Sequence, residues 1–97
     1  MLESRYQSEL KAKIKKVLPN ALILKTDPTY LQGFPDLLIL NGQKWAALEV
    51  KKDAKAKHRP NQELYIQKIN EMGSYASFIF PENEKEIINE LERSLTI

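Results

Sequence analysis

The chain has 97 residues, 42% hydrophobic and 29% charged, which suits one soluble domain over 1–97 with a modest core and excludes a disordered or fibrous chain. It has no cysteine and a single histidine, His58, which excludes a disulfide framework, a thiolate metal site and a multi-histidine zinc site within one chain. Its apolar runs are strand-sized, so neither a membrane span nor a secretory leader is expected, and the cytoplasm is the expected compartment.

Residues 2 to 18 read as an amphipathic helix stopped by Pro19-Asn20. Leu2, Tyr6, Leu10, Ile14, Val17 and Leu18 share one stripe, and Glu3 falls near its middle, whereas Glu9 lies on its edge and Arg5 outside it. A carboxylate on a buried face needs a partner. Either Glu3 is exposed in a frayed first turn, where it suits the helix dipole, or it is an acid aimed into a site. Ala21 to Thr26 then reads as a strand, and residues 27 to 33, broken by Pro28 and Gly33, as a loop.

Residues 33 to 52 are the centre of the chain. Two apolar runs flank Asn41-Gly42, a dipeptide that favours a tight type I′ turn, so a β-hairpin folded at 41–42 is predicted. The first run opens with Asp36, and the second closes with Glu49, Val50 and Lys51. Side chains two apart on a strand share a face, so Glu49 and Lys51 project together and Val50 does not. Folding the hairpin brings Asp36 near both. Two carboxylates and an amine at one end of an apolar hairpin must either satisfy one another, as an incidental salt bridge, or hold a metal ion.

The net charge of +2 is unevenly spread. Residues 51 to 59 carry Lys51, Lys52, Lys55, Lys57 and Arg59 against Asp53 alone, a balance of +4. A basic segment of this kind, directly after the acidic cluster, suits a phosphate backbone, although a solvated loop has the same look. Pro60 fits the first position of a helix running to Met72 and stopped by Gly73, with Tyr65, Ile66, Ile69 and Met72 as its apolar stripe and Gln62 inside that stripe. Ser74 to Phe80 reads as the last strand. Glu84 to Leu95 reads as an acidic helix that covers the sheet with Ile87, Ile88, Leu91 and Leu95. The predicted order, α-β-β-β-α-β-α, is an α/β fold with a central mixed sheet flanked by helices.

Pro35-Asp36, twelve intervening residues, and Glu49-Val50-Lys51 resemble the signature of the PD-(D/E)XK nucleases, whose core is restriction-endonuclease-like. Gly33-Phe34-Pro35-Asp36 and Leu48-Glu49-Val50-Lys51 are similar in particular to the VRR-NUC branch, and also to archaeal-type Holliday-junction resolvases. The likeness runs from Glu3 to Phe80. It supports Glu3, in the context Glu3-x-x-x-Gln7, as a third acid of the site, and Gln62, in Pro60-Asn61-Gln62, as a site residue close to the catalytic lysine, where the residue pattern alone equally allows a buried amide bonded to backbone. Where VRR-NUC proteins often carry a basic residue before the loop glycine, this sequence has Gln32.

The implied activity is Mg²⁺-dependent endonucleolytic cleavage of DNA, with Mn²⁺ as a substitute. Asp36, Glu49, the carbonyl of Val50 and Glu3 would be metal ligands, and Lys51 would be catalytic. Lys52, Lys55, Lys57 and Arg59 would hold flanking phosphates without reading sequence. No recognition helix is legible, which favours branched or junction DNA over a sequence-specific target. The alternative is a nucleic-acid-binding module of the same fold without activity. A homodimer is expected from the two-fold symmetry of DNA, with a monomer as the alternative; Tyr30, Leu31 and Phe34 are candidate interface residues, or core residues equally well.

Overall fold

A computed structural model describes residues 2–97. The elements run α1 (Glu3–Val17), β1 (Leu22–Lys25), β2 (Leu37–Asn41), β3 (Lys44–Val50), α2 (Pro60–Glu71), β4 (Tyr75–Ile79) and α3 (Glu84–Leu95), in the order predicted. The four strands form one sheet in the order β1-β2-β3-β4. The first three are antiparallel, and β4 lies parallel to β3 because α2 carries the chain back across the sheet.

Strand alternation divides the apolar residues between two faces. Leu37 and Ile39 of β2, Ala46, Leu48 and Val50 of β3 and Ile79 of β4 point to one face. There they meet Tyr6, Leu10, Ile14 and Leu18 of α1 and Ile87, Leu91 and Leu95 of α3, all buried. Hydrogen bonds lock these two helices together: the Tyr6 hydroxyl donates to Glu84 Oε1 (2.9 Å) and Lys13 Nζ to Glu84 Oε2 (2.6 Å). The other face has a smaller core, in which Ala47, Ala76 and Ile69 are buried with Phe34, Leu38, Trp45 and Ile66 against them. Only α2 covers this face, and it lies over β3 and β4.

The hairpin differs from its sequence reading by one residue. Asn41 remains in β2 and pairs with Lys44, so the turn residues are Gly42 and Gln43. Gly42 has φ +64° and no described residue other than glycine has a positive φ, which is the pattern of a type II′ turn rather than type I′. The cause is tertiary. The Asn41 side chain is buried and its amide donates to the Leu95 carbonyl (2.7 Å), a terminal carbonyl of α3, which holds Asn41 in the strand. The later turn moves the pairing by two residues and puts Leu37 opposite Leu48.

Candidate active site

The antiparallel register, carried one residue beyond Leu37 and Leu48, sets Asp36 opposite Glu49, and Glu49 is paired on its other side with Phe78. By strand alternation this row lies on the face of α2, as does Lys51. Four of the predicted site residues meet here. Asp36 Oδ2 accepts the backbone N–H of Val50 (2.9 Å), while the Val50 side chain turns away into the larger core. Gln62, in the first turn of α2, bridges the other two: its Nε2 donates to Glu49 Oε2 (3.1 Å) and its Oε1 accepts from Lys51 Nζ (2.9 Å). The same Oε1 accepts the backbone N–H of Arg59 (3.0 Å), which fixes the amide relative to the helix start. Lys51 Nζ also stands 3.7 Å from Glu49 Oε2, and its own N–H donates to the Ile79 carbonyl.

Glu49 and Lys51 are both buried, at 5% and 9% exposure. Burial, and then the Asp36 carboxylate beside it, push the Glu49 carboxyl up to about 8, although the Lys51 ammonium pulls the other way. A carboxyl this reluctant to ionise gains from any cation brought between it and Asp36. Two facing carboxylates are a hard, all-oxygen donor pair and fit Mg²⁺ or Mn²⁺; the one histidine, His58, is stacked on Phe78 with its Nδ1 toward Glu63. Among the described residues no group of three acidic, histidine or cysteine side chains converges, so a cation here would complete its shell from backbone oxygen, water or substrate.

Glu3 is not gathered into this cluster. It is exposed at the first position of α1, and the helix's buried stripe begins only at Tyr6 and Gln7. α1 also packs on the opposite face of the sheet. Among the described residues Glu3 makes no hydrogen bond or ion pair to the other four, and its effect on Glu49 is a charge effect, the smallest of those that raise its pKa.

Beside the carboxylates is a cleft of about 400 Å³, lined by Thr29, Gln32, Gly33 and Phe34 from the loop before β2 and by Arg59 and Gln62. The loop rests on α2: Asn61 Nδ2 donates to the Gln32 carbonyl (3.3 Å). Gly33, at φ +87°, passes so close that a Cβ would lie 2.5 Å from the Asn61 side chain, so only glycine fits. Lys52, Lys55, Lys57 and Arg59 are all exposed, and of the four only Arg59 lines the cleft. Another cavity, of about 410 Å³, lies at the opposite end of β3 and β4 between Trp45, Tyr75 and Leu95, and no acidic residue lines it.

Two contacts were not legible in the sequence. The His58 ring stacks on Phe78, the neighbour of Glu49, at 3.8 Å and 7°, with its Nδ1 3.6 Å from Glu63 Oε1. Residue spacing cannot reveal a pair 20 positions apart; the one available signal was an isolated histidine among phosphate-binding candidates. Of the three residues offered for an interface or for the core, Phe34 takes the core, packing edge-on against Tyr65 (5.5 Å, 66°), while Tyr30 is 87% exposed and Leu31 40%.

No protein-family model and no curated protein matches the sequence. Solved structures do. A VRR-NUC domain is 24% identical with a TM-score of 0.69 over 94% of each chain. A VRR-NUC domain protein is 17% identical with a TM-score of 0.61, covering 91% of this chain and 86% of its own. A Holliday junction resolvase from the archaeal hyperthermophile Archaeoglobus fulgidus is 18% identical with a TM-score of 0.54, covering 79% and 67%. At these identities the likeness is one of fold: the chain has the α/β fold of these VRR-NUC domains and of the resolvase.

Proposed function

We propose that the protein is a metal-dependent nuclease that hydrolyses phosphodiester bonds in DNA, selecting branched or junction structure rather than sequence. The observation that carries this reading is the facing pair Asp36 and Glu49, bridged through Gln62 to Lys51 beside an open cleft. Asp36 and Glu49 would hold Mg²⁺, or Mn²⁺ in its place, with the Val50 carbonyl as a further oxygen and Glu3 reaching the ion through water or at a second position. Such an ion polarises a phosphate and lowers the pKa of a bound water.

The chain's own groups do the rest. Gln62 holds Lys51 in one rotamer, which keeps an ammonium beside the carboxylates to orient the attacking water or meet charge on the phosphate. Arg59 at the cleft and the exposed Lys52, Lys55 and Lys57 of the same segment would supply positive charge for the flanking backbone. The test is cleavage of a panel of flaps, four-way junctions and linear duplexes by pure protein with and without Mg²⁺. Metal-dependent cutting that favours a branched member is expected. DNA binding without metal-dependent cutting would leave an inactive binding module of the same fold.

A homodimer belongs to this reading. Its support is an apolar surface on the β1–β2 half of the α2 face, where Leu22 lies opposite Leu40 and Leu24 opposite Leu38. Leu22 is 63% exposed and Leu24 46%. Light scattering with and without a four-way junction tests it, and a monomer in both conditions ends the idea.

A further inference from the structure

The chain has four tyrosines, and three of them are engaged in the fold. The Tyr6 hydroxyl donates to Glu84 (2.9 Å) and the Tyr75 hydroxyl to Glu90 (2.7 Å), while the Tyr65 ring packs edge-on against Phe34. Tyr30 is different: its ring is exposed and enters no aromatic pair among the described residues. The loop that carries it is fixed at both ends. At its start, Asp27 Oδ1 accepts the N–H and the hydroxyl of Thr29 (2.8 and 2.7 Å), and the Asp27 carbonyl accepts the N–H of Tyr30 (3.1 Å). At its end, Asn61 of α2 binds the Gln32 carbonyl, Gly33 fits against the same side chain, and Phe34 is seated in the smaller core. Tyr30 therefore stands on a preorganised turn, and little ordering would be left for a ligand to impose. Its neighbours Thr29 and Gln32 line the same cleft as Asp36, Glu49 and Arg59.

We propose that Tyr30 is a stacking post for a nucleobase that has left the duplex stack beside the cleft. This rests on the nuclease reading and narrows its substrate to DNA with unpaired nucleotides at the branch. The argument is one of access. Bases within a continuous duplex are covered on both faces by their neighbours, and drawing one out forfeits its stacking and pairing. An unpaired base at a branch has already lost that cover, so a protein ring can take the place of the missing neighbour. Arg59, exposed at the same cleft, supplies charge for the phosphates of the strand that carries the base. Stacking reads no sequence, because every base offers a π face, and that suits a chain in which no recognition helix is legible. Within the exposed loop 27–32, Leu31 is the other large apolar residue, beside Asp27, Thr29 and Gln32. That composition suits a single stacking contact better than the broad apolar core of an interface between copies.

The experiment is a double-mutant cycle in binding, with the base as one partner and the ring as the other. Wild type, Y30A and Y30F are compared on a flap DNA whose unpaired nucleotides at the branch carry bases, on the same flap with those nucleotides abasic, and on a linear duplex. Affinity is measured in metal-free buffer, so that no strand is cut. Wild type should bind the intact flap about tenfold more tightly than the abasic one, and Y30A should bind both flaps alike at the weaker level. Y30F should match wild type, and all the proteins should bind the linear duplex equally. Equal preference for the intact flap in Y30A and wild type overturns the proposal, as does a wild type that ignores the bases. A Y30A protein that loses affinity for every DNA alike, together with self-association in light scattering, assigns the ring to contact between copies and overturns it too. Wild type that binds no DNA, with or without Mg²⁺, overturns the nuclease reading and this proposal with it.

Discussion

The two faces of the sheet are built for different ends. Under α1 and α3 the buried surface is almost wholly apolar, with Leu10, Ile14, Leu37, Ile39, Leu48 and Leu91 all at 0% exposure. Under α2 the core is small, and its place at one end is taken by Asp36, Glu49, Lys51 and Gln62. Glu49 and Val50 show the division between adjacent residues: one side chain enters the polar cluster and the next enters the large core. Stability therefore lies mainly on one face and the candidate chemistry on the other. A site of buried, mutually repelling acids is tolerable because the opposite face holds the sheet without it.

The sharpest way to break this division is to substitute each side in turn. Asp36→Ala and Lys51→Ala are each expected to lower cleavage by on the order of 10² to 10⁴, the loss of several kcal/mol of transition-state stabilisation, while the melting curve stays near wild type or rises for Asp36→Ala. Cleavage assays with thermal melts of the same samples check both halves. Leu91→Ala, on the other face, should cost about 2–5 kcal/mol of stability through the cavity it leaves. Urea unfolding measures that cost; a destabilised but folded Leu91→Ala protein should retain its turnover.

The polar face also gives the protein a pH signature. Glu49 in the folded chain is raised to about 8 from an ordinary 4.5, so folding favours its protonated form. Its contribution to stability is present below about 4.5 and is lost as pH rises toward 8. In metal-free protein, melting temperature should therefore fall across that window relative to Glu49→Gln, in which the dependence disappears. A metal ion should reverse the trend by favouring the ionised carboxylate. Parallel melting curves for wild type and Glu49→Gln would show that Glu49 does not titrate in this way.

The smallest effect is expected from Glu3. Its exposure and distance from the hydrogen-bonded cluster make Glu3→Gln a modest lesion, a fewfold loss of cleavage, still larger than that of Glu9→Gln because Glu3 alone acts on Glu49. Steady-state cleavage by the two variants ranks them, and the reverse order would remove Glu3 from the site.

What the sequence could and could not disclose follows from the range of the forces involved. Strand alternation is local, so the common orientation of Glu49 and Lys51 and the opposite orientation of Val50 were legible without coordinates. So were the element order and the use of Pro60 to open α2. The turn was misread by one residue because its position is set by the bond from Asn41 to Leu95, 54 residues away. Glu3 was read onto a buried stripe that the helix possesses but that packing covers only from Tyr6 onward. The stack of His58 on Phe78 and the seating of Phe34 on Tyr65 depend on how α2 and its approach cross the sheet, which periodicity does not encode.

The account stands most directly on Asp36 and Glu49 acting as one cation-binding pair. The decisive measurement is cleavage of a four-way junction across a Mg²⁺ titration by wild type and by Glu49→Gln, with folding confirmed by thermal melts. The account predicts cutting that is absent without metal, saturates with Mg²⁺ in wild type, and falls by on the order of 10² or more in the variant. Cutting that is independent of metal, or equal in the two proteins, would contradict it.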